Sequence, residues 1–330
     1  MKHPGKARTA LKRGALVAAA NWQVVAIQSV ADTTFKLLLL VPVVGGGFLV
    51  TMLLGRDLRD VLTGSLREML FGISGTLMAK PLALTSYLIG FLLVLVGGVL
   101  LMFVVKGGTV SVIADADRAA GPIERPPLRA AGFRKAMAFS IETFTDGSAR
   151  LFRRYLLLGL ILGFVYVLSA ALCLFIAFGL YRLGGDRPLL LGSVAALGIV
   201  LFVALVTIVN VLYLLAQLVV AVDDCGVGAA LRGVTRFIRR EFSKLSRVFG
   251  VTVLLLLAAT LLSVVATWGF YLIAYVPVAG VIVLPLQLVA WLLRNLVFQY
   301  VGLTALSAYL SLYRGFAQPG ATSAGVMSSR

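Results

Sequence analysis

The chain has 330 residues, of which 60% are hydrophobic and 13% are charged. Soluble domains contain about 45–50% apolar residues and about 25% charged ones, so a water-facing fold is excluded. With a mean hydropathy of +1.02, the composition predicts an all-α polytopic membrane protein with a single membrane domain.

The net charge of +17 points to an anionic partner, since 30 Lys and Arg residues stand against 13 Asp and Glu residues. Nucleic-acid binding is one interpretation of such a balance. The basic residues lie beside long apolar runs, which favours polybasic cytoplasmic loops that face anionic lipid. We therefore expect membrane lipids with anionic headgroups as partners, no nucleic acid and no cofactor.

Six apolar runs are long enough to cross a bilayer, which requires about 20 mostly apolar residues. The predicted spans are residues 35–54, 83–105, 155–181, 188–222, 248–276 and 280–312. They form a membrane domain at 35–314, preceded by a cytoplasmic N-terminal arm at 1–34 and followed by a disordered tail at 315–330. The fourth and sixth spans exceed the thickness of a bilayer, so they should tilt or project beyond it.

Amphipathic helices are predicted before and after the first span. The arm carries a weak pattern over residues 7–31, which includes Leu11, Trp22 and Val25, and we predict an interfacial helix there. Residues 57–79 carry a stronger one, whose members are Leu58, Leu62, Leu66, Met69, Ile73 and Leu77. We predict an amphipathic helix on the outer surface for this segment, with a re-entrant segment as the alternative.

The loop between spans two and three is also predicted to form an amphipathic helix. In residues 128–152, apolar side chains recur at helical spacing at Phe133, Met137, Ile141 and Phe144. Prolines precede this stretch and break the chain before it.

In residues 223–247, two rows of side chains recur at spacings of three and four. The apolar row comprises Val227, Leu231, Val234, Ile238 and Phe242. The basic row comprises Arg232, Arg236, Arg240 and Lys244, with Arg239 beside it. An apolar row next to a basic row is typical of a helix in the headgroup layer, so we predict an anionic-lipid surface here.

The loop charges predict the orientation of the chain. Of the 30 Lys and Arg residues, 23 lie in the arm, the tail and the loops at 106–154 and 223–247, when Lys36 at the start of span one is counted with the arm and Arg314 with the tail. Six lie in the opposite loops. The remaining one, Arg294, lies within the sixth span. This asymmetry places both termini in the cytoplasm, and the bias towards Ala, Leu, Val, Gly and Arg is typical of a GC-rich bacterium, hence of an inner membrane.

An amphipathic segment precedes a pair of spans three times along the chain. The pairs begin near Leu37, Tyr155 and Val248. The separations are unequal and the identities are poor, and we predict a pseudo-repeat of helix-plus-hairpin units.

Two segments resemble a known group of membrane proteins. They are Val222-Asp223-Asp224-Cys225-Gly226-Val227-Gly228-Ala229-Ala230-Leu231-Arg232 and Ala308-Tyr309-Leu310-Ser311-Leu312-Tyr313-Arg314. Both resemble the uncharacterised six-helix bacterial membrane proteins that are similar to the membrane domain of glycerophosphodiester phosphodiesterases. That group shows an acidic-Gly turn, an ALR helix entry and a Tyr-x-x-Arg-like exit from the last span. The resemblance implies a fold and no activity, because the phosphodiesterase chemistry belongs to a separate soluble barrel without a counterpart in this sequence.

The residue types needed for catalysis are poorly placed. The one histidine, His3, lies in the arm, so no Ser-His or Cys-His pair is expected. No Asp or Glu lies within a predicted span, which excludes an aspartyl dyad and a carboxylate proton relay there. Four acids follow spans two and four, namely Asp115, Asp117, Asp223 and Asp224. They could hold a divalent cation, but helix capping is the favoured interpretation, and no metal site is predicted.

The polar residues of spans four and six form the predicted ligand-binding set. Its members are Asn210, Gln217, Gln287, Arg294, Asn295 and Gln299. Arg294 lies nine residues after Pro285, which is roughly 14 Å along a helix and near the middle of a ~30 Å hydrocarbon core. It should point inward to polar partners, because a charge at that depth costs about 2.5–3.5 kcal/mol. Either it contacts a lipid phosphate or small carboxylate, or it only fixes packing by bonding carbonyls and amides.

Three functional classes remain, and the third, an enzyme, is the least expected, because proton-transfer groups are missing from the predicted spans. The first is binding or movement of a lipid or other anionic amphiphile, which a polar cavity between spans four and six would favour. The second is a structural or interaction role in which the basic helices engage anionic lipid or a partner protein.

Overall fold

The structure is a computed structural model that describes residues 5–54, 75, 78–124, 130–184, 188–274 and 277–317. Within these residues there are eight helices and no strand. The helices are α1 (Gly5–Ala20), α2 (Trp22–Leu54), α3 (Pro81–Ala119), α4 (Ala130–Ala136), α5 (Ile141–Gly184), α6 (Pro188–Asp223), α7 (Val227–Ala274) and α8 (Pro277–Ala317).

Six of the described helices, all except α1 and α4, are long and apolar enough to cross a membrane. This confirms the all-α polytopic fold. The helices extend beyond the predicted spans: α2 begins at Trp22, α3 continues to Ala119, and α7 begins at Val227. Most of the amphipathic segment at 223–247 therefore forms the first part of α7, which is joined to the spanning part through a kink at Glu241. Most of the predicted outer helix at 57–79, and residues 318–330 of the tail, lie outside the described residues.

The chain divides into two compact units, Met1–Ala26 with Lys106–Arg330 and Ile27–Val105. In the smaller unit, the Tyr87 hydroxyl donates a hydrogen bond of 3.0 Å to the carbonyl oxygen of Pro42. A Cβ on Gly46 would lie 2.6 Å from the same hydroxyl oxygen. Glycine at this position therefore allows α2 and α3 to approach closely within that unit.

The packed core of the larger unit lies at one end of its helices, which we call the core end. Its largest fully buried side chains include Ile113, Leu151, Tyr155, Leu215, Leu218, Phe237 and Leu310. Farther along α5, α6 and α7, large apolar side chains are exposed, among them Phe175, Val203 and Leu262. Exposed apolar surface of this extent is typical of a membrane-facing region.

Helix α1 packs in the core end and does not lie on the surface, which corrects the interfacial helix predicted at 7–31. Val17, Ala18 and Val24 are fully buried, whereas Trp22 is 62% exposed. The Tyr300 hydroxyl of α8 donates a 3.1 Å hydrogen bond to the carbonyl oxygen of Ala15. The small residues of α1 permit this close contact, a feature of helix packing that a weak apolar periodicity does not reveal.

Gly14 is predicted to be essential to the contact between α1 and α8. An added Cβ would collide with the carbonyl oxygen of Thr304 and would lie 2.9 Å from the amide nitrogen of Ala308. We expect Gly14→Ala to lower the free energy of unfolding by about 1–3 kcal/mol, because backbone atoms cannot move aside as a side chain can. Unfolding in mixed micelles measures this change.

Gly302→Ala is the matched control on α8, since a Cβ there meets open space. Alanine is the better helix former, so this variant should be unchanged or more stable by about 0.5–1 kcal/mol. Equal effects of the two alanine variants would contradict the proposed contact.

A break separates α4 from α5, so the single amphipathic helix predicted at 128–152 is wrong. Residues 137–140 are not helical. The buried Asn21 side chain accepts hydrogen bonds from the backbone amides of Ala138 (3.0 Å) and Phe139 (3.1 Å). A continuous helix would bond those amides internally. Ser140 then caps α5, because its hydroxyl oxygen accepts a 3.0 Å bond from the amide of Thr143.

Candidate anionic-lipid surface and polar sites

A tight turn joins α6 to α7 at the core end. Asp224 follows the last residue of α6 and has a φ of 47°, a left-handed conformation that Asp tolerates better than most residues. The amide of Ala230 donates a 3.0 Å hydrogen bond to the carbonyl oxygen of Gly226, the residue before α7. This is the first helical hydrogen bond of α7. The acidic-Gly segment thus reverses the chain direction between two long helices.

The two segments that carry the family resemblance contact each other. The Tyr313 hydroxyl at the end of α8 donates a 2.5 Å hydrogen bond to the carboxylate of Asp223. Asp224 forms a 2.5 Å ion pair with Arg154 of α5. Side chains from two other helices, α5 and α8, therefore hold the turn in place.

One face of α7 is buried against the core end. Its buried members are Val227, Ala230, Val234 and Phe237. The Phe237 ring packs edge-on against Tyr313, with ring centroids 5.2 Å apart. Leu231 and Phe242 of the predicted apolar row are instead 41% and 66% exposed. Val227 and Val234 belong to both rows, whereas Ala230 and Phe237 each precede a member of the predicted row by one position.

The basic face of α7 is exposed. Arg232, Arg236, Arg239 and Arg240 all lie on the surface. Arg232, Arg236 and Arg239 line an open groove of about 740 Å³ together with Ala229, Leu231 and Thr235. We call this groove, with the exposed Leu231 at its edge, the α7 groove.

Lys244, the last member of the predicted basic row, is placed differently. It forms a 2.5 Å ion pair with Glu241, whose φ of −117° and ψ of 20° interrupt the helical geometry of α7. Its charge is neutralised locally, so it adds little to the field of the arginines.

Cys225 lies in the turn before α7. Burial raises the pKa of its thiol, and the negative charge of Asp223 raises it further. The nucleophilic thiolate is therefore disfavoured at neutral pH.

A buried ion network, which the sequence did not reveal, joins α1, α3 and α8. Asp117 is 4% exposed, and its carboxylate accepts bonds from Arg13 (2.6 Å) and Arg314 (2.7 Å). Arg13 also pairs with Glu124 at 3.1 Å. Burial opposes the charge of Arg13, but Asp117 and Glu124 outweigh it, so the pKa of this guanidinium is raised. An acid near a span end was visible in the sequence, but its partners lie 104 and 197 residues away.

The four acids that follow spans two and four form ion pairs or hydrogen bonds with side chains, which corrects the prediction that they cap helices. They are Asp115, Asp117, Asp223 and Asp224. Asp115 and Asp117 lie within the last turns of α3, and Asp223 is the last residue of α6, so none of these starts a helix. Asp115 pairs with Arg118 at 3.1 Å on the surface. In the part of the chain that the structure describes, no group of three or more His, Cys, Asp or Glu side chains could hold a metal ion.

The polar residues of α8 do not share one environment. Arg294 is exposed and its guanidinium carbon lies 5.5 Å from the centroid of the Phe298 ring, so the predicted inward orientation is wrong. Asn295 is 7% exposed, and Gln287 and Gln299 are half-buried. Adjacent helical residues project about 100° apart, and packing turned Asn295 inward and left Arg294 outside.

The polar residues of α6 are paired with α5. The Tyr166 hydroxyl donates a 2.6 Å hydrogen bond to the side-chain oxygen of Asn210. The Tyr155 hydroxyl donates a 3.0 Å bond to the backbone carbonyl of Gln217. Gln217 is 5% exposed, and its side-chain nitrogen has no hydrogen-bond partner. Asn210 is bonded to Tyr166, whereas Arg294 is exposed. Ligand binding by the predicted set of polar residues in spans four and six therefore stays a prediction.

The fold and this surface define a class, the all-α multi-pass membrane proteins, here with a packed core end that carries an exposed basic helix face. Comparisons with protein-family models, with curated proteins and with solved structures find no match. The resemblance to the phosphodiesterase membrane domains stays a prediction.

Proposed function

We propose that this protein is a non-enzymatic integral membrane protein that binds anionic lipid through the α7 groove. The observation that carries the proposal is the alignment of three exposed arginines, Arg232, Arg236 and Arg239, along one open groove. Guanidinium groups bind phosphate in a bidentate geometry, which suits a phospholipid headgroup.

Exposed apolar side chains on α7 support an amphiphile over a soluble anion as the ligand. Leu231 and Phe242 are exposed on the same helix as the arginines. A helix that presents cationic and apolar groups together is suited to the boundary between headgroups and acyl chains. Each basic residue near an anionic membrane contributes about 1 kcal/mol.

The proposed orientation places the α7 groove against the cytoplasmic leaflet of a bacterial inner membrane. The excess of Lys and Arg in the loops on this side supports it. The cytoplasmic leaflet carries the negative surface potential, so groove and membrane charge are complementary.

The absence of enzymatic activity is part of the proposal. The thiol of Cys225 has a raised pKa, and Asp117, Asp223 and Asp224 are held by basic or hydroxyl partners. Groups engaged in this way are poorly suited to act as nucleophiles or general bases.

The test is to replace Arg232, Arg236 and Arg239 together with glutamine in the full chain. We expect its affinity for phosphatidylglycerol to fall about a hundredfold, since three contributions of about 1 kcal/mol are lost. Native mass spectrometry of the detergent-solubilised protein, titrated with phosphatidylglycerol and with phosphatidylcholine, measures the change.

The control triple is Arg134→Gln, Arg150→Gln and Arg153→Gln, three exposed arginines of α4 and α5. It removes the same net charge and should lower the affinity far less, because these side chains do not line the groove. Equal losses in both triples would mean that net charge alone attracts lipid. Unchanged phosphatidylglycerol binding in the α7 triple would overturn the proposal and favour a partner protein as the occupant.

A further inference from the structure

A second polar region lies between α3, α5 and α6 of the larger unit, away from the α7 groove. The Lys106 ammonium lies 5.5 Å from the centroid of the Tyr213 ring. Both side chains are half-buried. The face of an aromatic ring attracts an ammonium electrostatically and stabilises its charge. This contact places a cation between α3 and α6.

Two buried hydrogen-bonding groups on the same two helices, α3 and α6, have no partner. Thr109 is 1% exposed and Gln217 is 5% exposed, and neither the Thr109 hydroxyl nor the Gln217 side-chain nitrogen has a hydrogen-bond partner. An unpaired buried polar group is costly, so such groups in folded proteins require an explanation such as a bound ligand or water.

Helix geometry places each group on the same face as one member of the Lys106–Tyr213 pair. Thr109 follows Lys106 by three residues on α3, and Gln217 follows Tyr213 by four residues on α6, so each shares a face with its predecessor. Helical side chains tilt towards the N-terminus of their helix. Thr109 therefore leans towards the turn of Lys106, and Gln217 leans towards the turn of Tyr213.

The chemistry of the three groups matches an oxyanion. An ammonium, an amide nitrogen and a hydroxyl can all donate hydrogen bonds, and the amide nitrogen cannot accept one. A phosphate offers several acceptor oxygens and a negative charge, and charge-assisted bonds of this kind are stronger than neutral ones. Tyr155 closes one side by bonding the backbone of Gln217 at 3.0 Å.

The position of Lys106 and Tyr213 along the helices favours a lipid as the source of the phosphate. Tyr213 precedes the end of α6 at Asp223 by ten residues, or about 15 Å. On one side of it Leu215 is 1% exposed, and on the other side Ile208 is 59% exposed and Val203 is 57% exposed. A phosphate at Lys106 would thus lie where the packed core gives way to apolar surface that could accept acyl chains.

We propose that Lys106, Thr109 and Gln217 form a headgroup site for the phosphate of an anionic phospholipid. The site is independent of the α7 groove, and its ligand lies between helices at the inner edge of the core end.

The experiment measures the affinity of the full chain for phosphatidylglycerol by native mass spectrometry, in the background that carries glutamine at Arg232, Arg236 and Arg239. That background lacks the arginines of the α7 groove, so the binding that remains reports on the Lys106 site alone. The two proposals can therefore fail independently of each other. We expect Lys106→Met to weaken the remaining binding roughly tenfold, the loss of one charge-assisted contact. Lys135→Met, which removes an exposed lysine of α4, should leave it unchanged.

Gln217→Leu separates a ligand contact from a structural one. The amide nitrogen has no partner to lose, so this variant should keep or raise the Tm while it weakens phosphatidylglycerol binding several-fold. A lower Tm with unchanged binding would show that the amide serves packing or holds water, and would overturn the proposal. Equal losses for Lys106→Met and Lys135→Met would also overturn it, because only net charge would then matter.

Titration with glycerol phosphate distinguishes a lipid from a free phosphate. The proposal expects soluble glycerol phosphate to bind far more weakly than phosphatidylglycerol, since it lacks acyl chains for the apolar surface. Binding of glycerol phosphate as tight as that of phosphatidylglycerol, and equally sensitive to Lys106→Met, would assign the site to a soluble anion and overturn the lipid assignment.

Discussion

Replacement of Asp117 with asparagine is expected to destabilise the protein by about 3–5 kcal/mol, the typical cost of removing one partner from a buried ion pair. The carboxylate is 3% exposed and lies between two arginines, Arg13 at 2.6 Å and Arg314 at 2.7 Å. Asparagine keeps the size but leaves two positive charges close together. Reversible unfolding by SDS in mixed micelles gives the change in the free energy of unfolding.

Asp115→Asn is the matched control, two residues away on α3 with the same change of charge. Its carboxylate is 43% exposed and pairs with Arg118, which is 57% exposed. Such surface pairs contribute about 0–1 kcal/mol, so little stability should be lost. A similar loss in both variants would show that overall charge, and not the buried network, holds α1, α3 and α8 together.

Asn21→Ala should have the second largest effect, with about 3 kcal/mol of stability lost. Asn21 is fully buried between α1 and α2. Its amide nitrogen donates to the carbonyl oxygen of Ala136 at 2.8 Å, and its oxygen accepts from the amides of Ala138 and Phe139. Alanine would leave three backbone groups without this partner, at roughly 1 kcal/mol or more for each. The same unfolding titration measures the loss.

Gln23→Ala controls for the loss of an amide at this junction. Gln23 is half-buried and its side-chain oxygen has no hydrogen-bond partner, so the substitution should cost much less. Because Asn21 holds the break before α5, hydrogen exchange should also show faster exchange at Ala138 and Phe139 in Asn21→Ala alone. Unaltered protection of these two amides would contradict the role given to Asn21.

These contacts matter for the proposed function because they position α7. The turn before α7 is held by Tyr313 and Arg154, and the neighbouring residue Arg314 belongs to the Asp117 network. A change at Asp117 should therefore weaken lipid binding only through loss of fold, whereas the Arg232, Arg236 and Arg239 variant should lose binding and keep the fold.

The composition and the apolar runs were sufficient to predict the helices that could cross a membrane. A run such as 83–105 must be helical in a bilayer, because only a helix satisfies its own backbone groups there. The exposure of Arg232, Arg236 and Arg239 also agrees with the predicted basic row. Unpaired charged side chains are rarely buried, whichever face of the helix packs against the core.

Which residues are buried together was decided by the tertiary structure alone. Asn295, and not Arg294, faces inward, because packing fixes the rotation of a helix that is apolar on all sides. Helix α1 joins the core since Gly14 fits against the backbone of α8, a contact between residues 14 and 304 that local periodicity cannot encode. For the residues that the structure describes, the sequence by itself determined which segments form helices that could cross a membrane, because unpaired backbone groups are costly in lipid. The partners of Asp117, Asn21 and Lys106 depend on long-range packing, and only the tertiary structure decided them.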